Sequence, residues 1–184
     1  MPARQAPLAE ILDALADERT GDAALQRIDA IRREIAGAGV FSIQRNVTTA
    51  EDPPGEIRLR RFYSSEGGNY PVDGTKRKTL TLWTECLFVR GRVFVGEGAD
   101  TLARHFDDYA QMQRWDLQSF INVPLMRDNV CYATFNVFIP RTRWQAHEIL
   151  GIRVLALAAA RWVPAAPDLS HRFSDSSHPD SLEA

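Results

Sequence analysis

Residues 118–139 constrain this chain more than any other stretch. Gln118-Ser119-Phe120-Ile121-Asn122-Val123-Pro124-Leu125-Met126 and the run from Val130 to Ile139 read as two long apolar strands joined by Arg127-Asp128-Asn129. Asp and Asn both tolerate positive φ, which a tight hairpin turn demands. Pro124 has no N–H to give to a ladder, so it belongs near a strand end or on a sheet edge. A two-stranded hairpin is not stable alone in water, so other strands or helices must cover it.

The sequence supplies those elements on both sides. Leu8, Ile11, Leu12 and Leu15 follow one buried helical face, and Leu25, Ile28, Ile31 and Ile35 repeat the pattern after Thr20-Gly21-Asp22. In the second stripe Arg27, Arg32, Arg33 and Glu34 are expected mainly on the opposite, solvent side, and Gly37 and Gly39 end the helix. Val40–Arg45 and Glu56–Tyr63 then read as an antiparallel strand pair across the turn-forming Glu51-Asp52-Pro53-Pro54-Gly55. Residues 64–77 are expected to be loop, Thr79–Trp83 a strand or an extended edge, and Arg92–Val95 a short strand. Asp100 is the expected N-cap of a helix carrying Leu102, Ala103 and Phe106, followed by a short helical piece from Tyr109 to Trp115.

A last helix is expected from about Arg143–Gln145 to Val163. It is apolar nearly all round apart from Glu148, Arg153 and Arg161, which calls for burial on several sides. The Pro-, Ser-, Asp- and His-rich residues 164–184 are expected to form a disordered tail. The division is therefore an N-terminal helix in 1–21, one folded domain in 22–163 and a tail. Antiparallel strands with terminal helices gathered on one face make an α+β domain.

Formal net charge is −2, which gives no global attraction to nucleic acid or to an anionic membrane. No window approaches a membrane span, and the first ten residues lack the apolar core of a secretory signal. Cys86 and Cys131 are too few for a disulfide framework and too isolated for a zinc site. From these features a cytoplasmic, reduced protein is expected.

Ser119-Phe120-Ile121-Asn122-Val123-Pro124-Leu125, then Asp128-Asn129, then Tyr132-Ala133-Thr134-Phe135-Asn136-Val137 resembles the signature stretch of GAF domains. Trp144 and Glu148 take the places of that family's aromatic residue and of the acidic residue in the first turn of its last helix. Ala133 stands where the family usually has glycine. The resemblance spans roughly residues 22–163. It implies a GAF/PAS-like central antiparallel sheet, with N- and C-terminal helices on one face and a pocket closed by middle helices on the other. It also implies small-molecule binding, signalling through terminal helices that dimerise, and a signalling partner in trans, because no output domain is recognisable in these residues.

A pocket between the sheet and residues 83–119 is expected to use Trp83, Phe94, Tyr109 and Trp115 as aromatic walls, with Glu85, Arg104, His105, Ser119 and Asn136 orienting a polar ligand. The sequence identifies neither ligand nor cofactor. An alternative is a thiol-dependent reductase of the free methionine sulfoxide reductase type using Cys86, although Cys131 sits in the strong strand as a small core residue and the resolving thiol is missing. Nothing matches bilin attachment, and Asn136 and Trp144 echo only part of a cyclic-nucleotide pattern. His105 and His147 alone do not make a metal or haem site. Arg58, Arg60, Arg61, Lys76, Arg77, Lys78, Arg90 and Arg92 concentrate positive charge; they read as a solvated strand face in preference to an anion or nucleic-acid site. A third possibility is a ligand-free interaction scaffold working through helices 7–19 and 145–163.

Overall fold

The computed structural model describes residues 12, 13, 15–67, 71–170 and 173. Most of the expected first helix lies outside them. Of its stripe, Leu15 is buried and Leu12 is partly exposed. Helix α1 spans Gly21–Ala36, and Thr20 caps it by accepting a hydrogen bond from the Ala23 amide at 3.3 Å. Gly37 ends it at φ +77°, donating its N–H to the Arg33 carbonyl at 2.9 Å. Strands β1 (Val40–Asn46), β2 (Glu56–Ser64) and β3 (Thr75–Thr79) follow.

A helical turn, α2 (Leu82–Thr84), then runs into a π-helical turn at Glu85–Val89. After strand β4 (Phe94–Glu97) come the short helices α3 (Ala99–His105) and α4 (Tyr109–Gln113). Strands β5 (Ser119–Arg127) and β6 (Val130–Ile139) form the hairpin, and helix α5 (Ala146–Ala159) closes the order with a 3-10 turn at Ala160–Trp162. No helix among the described residues is long and apolar enough to cross a membrane.

The six strands form one antiparallel sheet in the order β3-β2-β1-β6-β5-β4. Asp128 and Asn129 turn the central hairpin at φ +49° and +63°, the geometry their side chains tolerate. Pro124 lies within β5, opposite Thr134 of β6. The pairing of β4 stops at Asn122, so β5 is an edge at Pro124 and no ladder bond is forfeited. Alternation along the inner strands sorts side chains to two faces. Phe41, Ile43, Ile121, Val123, Phe135 and Val137 join α1 and α5 in one core; Val40, Ile57, Leu59, Phe120 and Phe138 join α2, α3 and α4 in another.

Several expectations change. Residues 75–77, expected to be loop, open the edge strand β3. Its Thr-Lys-Arg-Lys-Thr composition carries no apolar alternation because only β2 pairs with it. Thr79–Trp83 is accordingly the end of that strand and the start of α2. Gly98, not Asp100, sits at the N-cap of α3, and Asp100 lies inside its first turn. Arg32 faces inward, wholly buried, with Asp29 and the carbonyls of Gly37 and Gly39. Helix α5 is not buried on several sides: Leu150 is 59% and Leu157 75% exposed. Residues 164–170 are not a free tail. The Ser170 N–H donates to the Thr48 carbonyl at 2.7 Å, and Phe173 is buried in the core beneath the middle helices.

Candidate functional site

Between the sheet and the middle helices lie two small cavities of about 30 Å³ each, both lined by Gln44, Lys76, Phe106 and Phe138. Register decides which side chains reach them. Ser42 and Gln44 of β1 stand opposite Asn136 and Thr134 of β6, and Asn122 of β5 stands opposite Asn136, so one face of the three inner strands carries a polar row. A buried relay crosses that row. The Trp83 indole N–H donates to Asn122 Oδ1 at 2.8 Å, Asn122 Nδ2 donates to Asn136 Oδ1 at 2.7 Å, and Asn136 Nδ2 donates to Thr134 Oγ1 at 3.1 Å. In both asparagines the amide oxygen and the amide nitrogen each have a partner, which is what a buried polar group requires. Gln44 differs. Its side chain lines both cavities yet makes no hydrogen bond among the described residues.

The segment Phe106-Asp107-Asp108, between α3 and α4, covers the row. The Phe106 ring packs edge-on to Phe120, Phe138 and Trp83 at centroid distances of 4.8, 5.2 and 5.9 Å. Two ion pairs tie the segment to β3: Lys76 Nζ to Asp108 Oδ2 at 2.7 Å and Lys78 Nζ to Asp107 Oδ2 at 2.6 Å. Lys76 and Lys78 share a strand face because they are two residues apart. Outside the segment an open groove of about 430 Å³ is lined by Arg77, Lys78, Trp83, Arg104, His105 and Asp107, among others. Lys78 and Trp83 line both groove and inner cavity, so they form the wall between them.

Protonation follows from these surroundings. The hydrogen bond from Lys78, more than its charge, holds the Asp107 carboxyl below its usual value. Burial lowers His105, and Arg104 lowers it further, which favours a neutral ring at physiological pH. Burial raises the Cys86 thiol, and Arg90 and Arg92 oppose this only in part. Cys131 is raised by burial as well. Neither thiol is set up as a ready thiolate.

Of the nine side chains expected from sequence to line a pocket, Trp83 and Asn136 border the inner cavity, and Arg104 and His105 border the groove with Trp83. Phe94 sits behind the cavity, stacked on Phe120 at 5.8 Å and edge-on to His105 at 5.1 Å. Tyr109 packs against the second core, and Trp115 is one-third exposed. Glu85 turns outward and pairs with Arg90 Nε at 3.0 Å. Ser119 is buried on the same strand face as Ile121 and Val123, which places it toward α1 and α5. Those last four line neither cavity nor groove.

Gln44, Lys76, Lys78, Phe106, Asn122 and Phe138 were not expected. The alternation Ser42-Gln44-Asn46 and the Lys-x-Lys of β3 are the signals that carry them. The basic cluster divides in the same way. Arg58 and Arg77 gather around the buried Asp52 at 3.4 Å each, while Lys76 and Lys78 turn to the cavities.

No family model and no curated protein matches the sequence. Solved structures do. The nlh2 GAF domain of A. aeolicus in an inactive state is similar at TM-score 0.58 and 17% identity, covering 84% of this chain and 91% of that one. Free methionine-R-sulfoxide reductase from Neisseria meningitidis, in complex with its substrate, is similar at TM-score 0.53 and 16% identity, with 84% of each chain covered. The chromophore-binding domain of the R. palustris bacteriophytochrome RpBphP3 is similar at TM-score 0.55 and 9% identity. There 84% of this chain is covered, and it spans only 58% of that domain. At these identities the likeness speaks to fold alone. With the six-stranded antiparallel sheet, paired outer helices on one face and short helices over a polar pocket row on the other, the chain has a GAF-like α+β fold.

Proposed function

We propose that this chain is a small-molecule-binding sensory module, with its ligand held over the polar row between β1, β6 and β5 and the segment Phe106-Asp107-Asp108. The observation that carries this reading is Gln44: an amide lining both cavities without a protein partner among the described residues, in a chain whose neighbouring amides are all satisfied. Each cavity has room for about one water and no organic molecule. Ligand entry therefore requires the covering segment to lift, and such a movement is the change a sensor would transmit. The raised Cys86 and Cys131 thiols give no support to the reductase alternative. Two free cysteines fit a reducing, cytoplasmic setting.

Transmission would pass through α5 to a second copy of the chain and on to a partner. Leu150 and Leu157 lie seven residues apart on one helical face with the half-buried Val154 between them. That stripe is self-matching across a two-fold axis. Native mass spectrometry of protein purified gently from its producing cells tests ligand and dimer together. The expected species is a dimer with a reproducible added mass. Gln44→Met should remain dimeric without the added mass, and Leu157→Glu should be monomeric and keep it. A wild-type protein with no added mass, or an added mass that persists in Gln44→Met, would overturn the ligand reading; a monomeric wild type would overturn the dimer.

A further inference from the structure

Resting on that reading of the site, we infer that its ligand is a small oxyanion, a carboxylate or phosphate compound, which takes Lys76 and Lys78 from Asp108 and Asp107 and so releases the covering segment. Lys78 is the telling residue: its side chain is only 16% exposed, on the wall of the inner cavity, while its partner Asp107 is 86% exposed. An ammonium at the cavity wall is thus neutralised by a carboxylate that reaches in from solvent. Lys76 lines both cavities and meets Asp108, whose other oxygen, Oδ1, is buried without a hydrogen-bond partner. A buried acceptor left unmatched is unfavourable, so this carboxylate gains by returning to water.

The two acidic side chains therefore stand where an anionic ligand would stand. Asp107 is the exposed member of these pairs, so its carboxylate is well hydrated once it leaves Lys78. A ligand oxyanion between the two lysines would sit closer to the low-dielectric core, with the Gln44 amide able to donate to it and the Trp83 indole beside it. The groove leading there carries both signs of charge. Arg77, Lys78, Arg104 and Asp107 line it, and Arg104 makes no ion pair among the described residues.

Calorimetric titration with succinate and with pyrophosphate, against neutral succinamide, tests the inference and separates the two oxyanion types. At least one of the anions should bind, and succinamide should not. Lys78→Met, which keeps the aliphatic stem, should weaken anion binding at least tenfold. Asp107→Asn should strengthen it several-fold, because the internal competitor is gone. A purely structural ion pair would make both variants lose affinity. Equal binding of succinate and succinamide, abolished in Gln44→Met, would overturn the anion assignment and leave the site reading intact. Anion binding unaffected by Gln44→Met and Lys78→Met would place the anion elsewhere and overturn the anion assignment alone. Failure of both anions to bind would overturn the anion assignment alone.

Discussion

Phe120→Ala is expected to destabilise the protein by about 3–5 kcal/mol, the range for a buried phenylalanine removed from a core that cannot close around the space. Phe120 is fully buried. Its ring stacks near Phe94 and Phe138, each at 5.8 Å, and meets Phe106 edge-on at 4.8 Å. It also needs Gly96: a Cβ at that position would fall against the Phe120 ring edge. The ring therefore joins β4, β5, β6 and the covering segment at a single point. For a domain of this length the loss corresponds to a fall in melting temperature on the order of 10 °C. Thermal denaturation followed by circular dichroism checks it. Phe120→Leu, which refills part of the space, should lose clearly less. If alanine and leucine proved equally mild, the ring would not be the keystone of that face.

Arg32→Met should have a comparable effect by a different route. The Arg32 guanidinium donates to Asp29 Oδ1 through Nε at 3.1 Å and Nη2 at 2.6 Å, to the Gly37 carbonyl at 2.8 Å and to the Gly39 carbonyl at 3.3 Å. Burial pulls its pKa down, and the hydrogen bond and charge of Asp29 oppose that. Methionine fills much of the same volume yet leaves Asp29 Oδ1 and two carbonyls without the donors that Arg32 gave them, so about 3–5 kcal/mol should be lost. Arg33 shares Asp29 at 3.1 Å but is half exposed, and Arg33→Met should cost less than about 1 kcal/mol. Denaturant midpoints for the two variants provide the comparison. Near-equal midpoints would show that the buried network around the α1 C-terminus does not hold the β1 entry.

Arg32 also shows where sequence reading stops. Helical periodicity placed it beside Arg33 on the solvent side, because periodicity sees one helix and not the chain folding back past its C-terminus. Gly37 and Gly39 bring two carbonyls within reach, and only the tertiary path reveals them. The hairpin was legible for the opposite reason. Its apolar runs and the Asp128-Asn129 turn are local, and the structure realises them locally. Likewise Glu148 lies in the first turn of α5, where the resemblance put an acidic residue, and there it closes a capping box with Gln145.

The candidate site was legible only in part. Trp83 and Asn136 were within reach, but Gln44 and Asn122 join them only through register, since a shift of one residue would turn each to the other sheet face. Ser119 is the counterexample, a polar residue in the right strand with the wrong parity. Lys76 and Lys78 were hidden inside a basic run whose average property is solvation. Phe173 was hidden by the polarity of its neighbours, although the side chain itself belongs to the core.

Trp83 gives the most direct test of the ligand site. The protein has four tryptophans, and Trp83 is the one that lines the inner cavity, with its indole N–H on Asn122. Protein labelled with ¹⁵N should be titrated with an ultrafiltered small-molecule extract of its producing cells while the four indole N–H resonances are followed. The expected result is a saturable shift of the Trp83 resonance, absent in Gln44→Met, with Trp115, Trp144 and Trp162 close to their starting positions. A Trp83 resonance that stays fixed through the titration, or a shift confined to the other three, would contradict a ligand site over the Asn122–Asn136 row.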